Sequence, residues 1–366
     1  MLFDATQQYI ATQIAHSSSV SDSFLVDVEI EHLIENGVAQ LVLEKLSQQQ
    51  NKLFITPIIT RLKQFSTQLE VIHALQTKAF TDVFHALNKH DIDFVVLKGW
   101  ALSYTIYPSP HHRPKTDIDI LIADSNKRKV KSLLTNLGYT NPRGWEPEAI
   151  IDQYSMRKMI VKDIYANIDV HLRLTNDKTL QPLFPWSKLL ASSCYQQDLN
   201  CKVISKPYAL VHAVVHLLHH ACNGDFIKLI WFYDIYQLTE TLTPGEEEDL
   251  HDILGTTGLS TVVNFCLNEQ FKLFPSKKTE EVISKLSKIQ GDHKYDYLTR
   301  KPSRLKVMMR NFFQTKGLMA KLKVIKETFF PPSAEIYLKY GEYSKWQLPF
   351  LYLKRIFLGI VRLFND

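Results

Sequence analysis

The segment 116–122 alternates strictly, and no other stretch of the chain restricts its folding so tightly. A strand has a side-chain period of two, so Asp117, Asp119 and Leu121 share one face while Ile118, Ile120 and Ile122 share the other. The isoleucine face belongs to a core. The opposite face then carries two neighbouring carboxylates that repel when both are ionised, so without compensation at least one pKa must rise. A divalent cation removes that conflict, and a hard ion such as Mg²⁺ prefers oxygen ligands.

The flanking segments supply a third acid. Residues 92–97 form a short apolar run that predicts a buried strand, followed by Lys98-Gly99 and a helix over 100–107 that Pro108 and Pro110 end. Residues 154–162 and 165–174 read as a pair of strands. The second groups Asp169, His171 and Arg173 on one face, opposite Ile168, Val170, Leu172 and Leu174. Asp169 would complete a one- or two-metal site of the kind that serves phosphoryl transfer. An isolated Asp-x-Asp is common in turns and exposed strands. The ordered set of a glycine turn after a strand, an Asp-x-Asp strand and a strand with a centred Asp is far harder to obtain by surface patterning.

Around this core the chain reads as helical. Leu25, Ile30, Leu33, Val38, Leu41, Val42 and Leu46 recur at helical spacing over 24–46. Further helices are predicted over 68–88 and 125–137, the latter stopped by Gly138. From Pro207 onward the pattern is again helical, and Pro331-Pro332 sets off an aromatic-rich tail.

These motifs together resemble the DNA polymerase β-like nucleotidyltransferase superfamily, whose signature is a strand-end glycine turn, an Asp-x-Asp/Glu strand and a later acid-bearing strand. More closely, Leu97-Lys98-Gly99, Tyr107-Pro108, Arg113, Asp117-Ile118-Asp119, Gly138-Tyr139 and Asp169-Val170-His171 resemble a poorly characterised bacterial nucleotidyltransferase family. Gly37-Val38 and the stretch from His216 to Trp231 and Asp234 fit the same pattern. The resemblance implies an α+β fold, a small mixed β-sheet nucleotidyltransferase core with helical N-terminal and C-terminal additions. The chain divides accordingly into an N-terminal helical segment (1–66), the core (67–175), a helical acceptor region (176–330) and a basic-aromatic C-terminal segment (331–366).

The resemblance also implies roles. Asp117, Asp119 and Asp169 would be the catalytic metal ligands, holding one or two Mg²⁺ ions, with Mn²⁺ as the alternative. Asp169 would help remove the proton of the acceptor. An NTP would be the donor, a hydroxyl group the acceptor and pyrophosphate the leaving group. Lys98, Gly99, Arg113 and His171 would bind nucleotide: Gly99 by close backbone approach, Arg113 by gripping two oxygens. Lys98 and Arg113 have a second reading as partners of carboxylates, and His171 as a packed histidine. Trp100 stands where the superfamily has a small residue and is expected to crowd the turn.

His212, His216, His219 and His220 fall on one helix, and the i,i+4 pair His212/His216 has metal-ligand spacing. No HExxH glutamate accompanies it, so a helix packed beside the sheet, with His216 and Asp234 in hydrogen bonds, is the stronger expectation.

Composition narrows the class. The cysteines Cys194, Cys201, Cys222 and Cys266 are scattered without CxxC pairing, which argues against a zinc knuckle or disulfide framework and fits a reducing cytoplasm. The N-terminus lacks a signal-peptide pattern, and no run is long and apolar enough to suggest a transmembrane segment. Net charge is only +5, but residues 300–326 carry Arg and Lys without an acid. This block, with Phe350, Leu353, Ile356, Phe357, Ile360, Val361 and Phe364 beside Lys354, Arg355 and Arg362, suggests peripheral contact with the anionic inner membrane face. A helix capping the core accounts for the tail equally well. No nucleic-acid module is present, so sequence reading on DNA or RNA is not expected. Two other classes stay open: a catalytically silent homologue that binds nucleotide or protein, and a membrane-surface accessory protein.

Overall fold

Phe94, Val95, Val96 and Leu97 are all buried, and they form one of the two central strands of a six-stranded mixed sheet. The computed structural model describes residues 2–15, 29–47, 56–142, 144, 151–300, 304–341 and 344–364. Residues 24–28 of the first expected helix, and the side chains of Ile360, Arg362 and Phe364, lie outside that description.

In chain order come helices α1 (Ala5–Ala15), α2 (Ile30–Glu35), α3 (Ala39–Ser47) and the long α4 (Thr56–Lys89). Then follow β1 (Phe94–Leu97), α5 (Lys98–Thr105), β2 (Asp117–Ile122), α6 (Lys127–Asn136), β3 (Gln153–Val161) and β4 (Ile164–His171). Helix α7 (Trp186–Ser192) leads to β5 (Cys194–Gln196) and β6 (Cys201–Val203). The regular elements beyond are helical: α8 (Lys206–Cys222), α9 (Leu229–Glu240), α10 (Pro244–Thr257), α11 (Ser260–Leu273) and α12 (Lys277–Leu286). Helices α13 (Arg304–Gln314), α14 (Leu318–Phe329), α15 (Ser333–Tyr340) and α16 (Leu348–Phe364) close the chain. The architecture is α+β, a mixed sheet with helical additions on both sides in sequence.

The sheet order is β3-β4-β2-β1-β6-β5. Strand β2 runs antiparallel to β1 and parallel to β4, with Asp119 opposite both Leu97 and Asp169. As the alternation demands, Ile118, Ile120 and Ile122 are fully buried. The hairpin β5–β6 extends the sheet beyond the expected strands. Its strands are three residues each and lack an apolar run, so only pairing reveals them: Val203 lies opposite Val96, and Ile204 N–H donates to Val96 O.

Helix α4 starts earlier than the predicted residue 68, because Pro57 suits a first turn and no breaker follows. It is continuous across residues 66 and 67. The expected helix over 24–46 is instead broken between α2 and α3 by Gly37, whose φ is +72°. Ile230 of α9 packs so close that a Cβ on Gly37 would meet its Cγ2 at 2.9 Å. A buried polar knot secures this junction. Asn36 Oδ1 accepts from Gln7 Nε2 at 2.7 Å and from Leu229 N–H at 3.1 Å. Asn36 O accepts from Ile230 N–H. The N-terminal helices are thereby fixed to α9, which forms one wall of the cleft described next. Helix α10 carries its own start signal, a reciprocal capping box of Thr243 with Glu246 behind Pro244.

Candidate active site

Asp119 is the buried centre of the site. Because β2 and β4 run parallel in register, Asp119 and Asp169 sit side by side, and His171 follows two residues along the same face. His171 Nε2 and Lys98 Nζ both reach Asp119 Oδ1 at 2.7 Å. Burial alone would raise the Asp119 pKa, but the Lys98 ammonium and the His171 hydrogen bond outweigh it and hold the carboxyl well below its usual range. Lys98 reaches the acid from the turn that ends β1, with a left-handed φ of +48° that is uncommon for a residue with a Cβ. Burial opposes its charge, yet Asp119, Asp117 and Asp169 together raise its pKa.

Asp117, two residues back along the strand, is compensated only in part, by the Lys98 charge and a 3.3 Å hydrogen bond from Thr116 Oγ1. Burial and the charges of Asp119 and Asp169 push it up to about 6. Asp169 accepts a 2.5 Å hydrogen bond from Ser155 Oγ, supplied by β3, where Ser155 lies opposite it in register. Asp119, Asp169 and His171 each offer a ligand atom within 4.8 Å of the others. Asp117 stands outside that cluster, on the wall of the adjoining cleft.

This cleft, of about 480 Å³, is bounded by the acid end of the sheet on one side and by α8 and α9 on the other. The volume falls within the roughly 300–1,000 Å³ typical of small-molecule sites. Lys98, Gly99, Arg113, Lys115, Asp117 and Asp119 line its polar end. Ile34, Phe65, Leu69 and Trp231 give it apolar surface.

The remaining expected residues have distinct places. Arg113 is buried and bound to Asp234, with Nη2 to Oδ2 at 2.7 Å and Nε within 3.2 Å of both oxygens. Tyr107 OH donates to Asp234 Oδ1 at 2.7 Å, so the Tyr-Pro and Arg elements converge on one acid of α9. Burial lowers and Asp234 raises the Arg113 pKa, and the pairing wins. Gly99 lies directly under this guanidinium. Of the two readings weighed for Lys98 and Arg113, both side chains are found on carboxylates. Arg173 pairs with Asp124 at 2.5 Å.

Trp100 does not line the cleft. It is 1% exposed, edge-on to Phe80 at 4.9 Å and close to the ring of His73 at 4.8 Å. The expected crowding of the turn is therefore absent, because the helix that starts at Lys98 carries the indole into the core.

His212 is buried, and burial with the Lys98 charge lowers its pKa to about 3. His216 is likewise held well below its ordinary value by burial, and its ring meets Trp231 edge-on at 5.2 Å. They line the cleft as part of a packed helix, but the expected hydrogen bonds hold for Asp234 alone, on Tyr107 and Arg113, while His216 packs its ring on Trp231 and His220.

Two participants were not singled out from the sequence. Ser155 gives no local sign, because only register places it on Asp169. Lys115 lines the cleft, and its Nζ reaches the Pro110 and Arg113 carbonyls and the face of Trp100. No carboxylate pairs with it among the described residues, and burial and the Arg113 charge depress its pKa strongly. The one available sign was its place two residues before Asp117.

Residues 27–274 match a family model described as an uncharacterised nucleotidyltransferase. Among solved structures, the crystal structure of an antigenic nucleotidyltransferase-like protein from Paracoccidioides brasiliensis is similar over 60% of this chain and 94% of that chain, at 16% identity and a TM-score of 0.38. No curated protein matches the chain.

Proposed function

The chain belongs to that uncharacterised nucleotidyltransferase family, and we propose that it moves a nucleoside monophosphate from an NTP to a hydroxyl acceptor, within the DNA polymerase β-like superfamily of bacterial type. The observation that carries this reading is the register match of Asp119 with Asp169, with His171 and Asp117 beside them. The acids suit a divalent ion: hard carboxylate oxygens side by side, and a charge repulsion at Asp117 that a cation relieves. Asp117, Asp119 and Asp169 would hold it. When bound, Mg²⁺ or Mn²⁺ supplies charge neutralisation at the triphosphate.

The protein's own groups do the rest. The acceptor oxygen attacks the α-phosphorus as the bond to the bridging oxygen of the leaving pyrophosphate breaks. The acceptor proton passes to Asp169, which Ser155 keeps oriented. His171 holds Asp119 in place. Lys98 and Lys115 take up phosphate charge at the polar end of the cleft; among the described residues no acid pairs with Lys115, and a bound phosphate would favour the charged amine that burial and Arg113 oppose. The Arg113–Asp234 pair holds the Gly99 turn against α9 rather than spending its charge on the nucleotide. Catalysis then rests on positioning and electrostatic stabilisation.

Calorimetry with each NTP, with and without Mg²⁺, tests the proposal against an Asp117→Asn/Asp119→Asn double variant. Metal-dependent binding that disappears in the variant is the expected result. Equal binding by the variant would remove these acids from the nucleotide site.

A further inference from the structure

We infer that helices α14 and α16 form a docking surface for anionic phospholipid. Phe350, Leu353 and Phe357 of α16 are 64%, 64% and 65% exposed, and their spacing of three and four residues places them on one helical face. Trp346, just before the helix, is 69% exposed. On α14, Leu318, Met319, Leu322 and Ile325 form a second exposed apolar row. Lone exposed apolar residues are ordinary, but contiguous rows mark interaction sites.

The other faces of these helices are already occupied. Tyr352 OH donates to Pro331 O at 2.5 Å, and Arg355 Nη2 donates to Thr328 O at 3.2 Å. The Phe330 and Tyr352 rings approach at 6.0 Å. The exposed rows are thus the surface left over after the C-terminal helices have packed.

Charge selects the occupant. Residues 300–326 contain nine Lys and Arg and no acid. Lys306, Lys316, Lys323 and Lys326 are exposed, and Lys354 is exposed beside the α16 row. Cations beside aromatic and aliphatic side chains match the boundary between anionic headgroups and acyl chains. A second copy of the same face would bring like charges together and be repelled. Helix α16 has 17 residues, roughly 25 Å, and would lie in the plane of the interface. Among the described residues no helix is long and apolar enough to cross a membrane.

The test is co-sedimentation of the full chain with phosphatidylcholine vesicles and with vesicles that also contain phosphatidylglycerol, at low and high salt. Wild type should bind the anionic vesicles about tenfold or more tightly than the neutral ones, and salt should weaken the binding. The variant Phe350→Asp/Leu353→Asp/Phe357→Asp should lose it, with thermal unfolding unchanged because these side chains touch solvent. Lys323→Gln/Lys326→Gln/Lys354→Gln should lower it about tenfold or more. Equal partition onto both vesicle types, no partition, or an aspartate variant that sediments like wild type would each overturn the inference. So would sedimentation velocity showing a wild-type dimer that the aspartate variant abolishes without any vesicle binding, since the rows would then be a self-association face.

Discussion

The guanidinium of Arg113 occupies the space that a side chain on Gly99 would need: a Cβ there would lie 2.6 Å from Nη1 and 3.3 Å from Cζ. Arginine ends usually move aside cheaply. This one is held by Asp234 through both Nε and Nη2 and is buried, so displacement breaks the pair. Gly99→Ala should therefore destabilise the fold by about 1–3 kcal/mol, the range for overpacking. Urea denaturation checks this, and an unchanged midpoint would mean that the guanidinium can retreat.

Removing one partner of the buried pair should cost more. Arg113→Leu strands the Asp234 carboxylate and should lose about 3–5 kcal/mol. Tyr107→Phe removes one hydrogen bond to the same charged group and should lose about 1.5–3 kcal/mol. If the pair is the junction between the sheet and α9, the double variant will cost less than the sum, which a double-mutant cycle reads directly.

The Lys98 ammonium pairs with Asp119 at 2.7 Å, so a metal ion on that acid would compete with it. Lys98→Met should tighten Mg²⁺ binding in the absence of nucleotide, since an ammonium no longer competes for the acid. Turnover should nevertheless fall by about 10²–10³-fold, the scale for a lost transition-state contact. Isothermal titration with Mg²⁺ alone separates the two effects. Weaker Mg²⁺ binding in the variant would show that Lys98 orders the site instead of competing for it.

Lys115→Met should raise the Kd for NTP about tenfold or more, because a charge-assisted contact is lost. Its stability should hold or rise, because an amine buried without a carboxylate partner is unfavourable. A large loss of stability with unchanged NTP affinity would assign Lys115 to structure.

Asp117 gives a pH signature. Its folded pKa, raised to about 6, exceeds the unfolded value, so between the two the native state binds more protons. Stability of the metal-free protein should therefore fall as pH rises through 6. Asp117→Asn should stabilise the metal-free protein near neutral pH, with the difference fading at acidic pH where the wild-type acid is also neutral. Thermal unfolding in the presence of a chelator measures this, and a variant no more stable at pH 7.5 would mean that neighbouring groups already compensate Asp117.

Much of the site was legible because it rests on short-range rules. The two-residue period of β2 put Asp117 and Asp119 on one face, and the same rule set Asp169 beside His171. The α+β class followed from apolar strands between helical stretches. What stayed hidden depended on partners distant in sequence. Asp234 is 121 residues from Arg113. Ser155 meets Asp169 because the hairpin register shifts by one between Met159 and Val161, an irregularity that no local signal marks. The hairpin β5–β6 is too short to stand out in the sequence and is defined by its pairing, Val203 opposite Val96. Trp100 carries no local mark of whether it faces a turn or a core.

Sequence alone determined which residues can share a face, because pleat and helix period act over a few bonds. It thereby identified the acids, the glycine turn and the basic C-terminal block. Tertiary structure alone decided which charges are already spent and which remain available. Arg113 is neutralised by Asp234, Lys98 rests on Asp119, and Lys115 faces the cleft without an acid among the described residues. The reason is physical: Coulomb interactions depend on distance and burial in space, and neither can be counted along the chain.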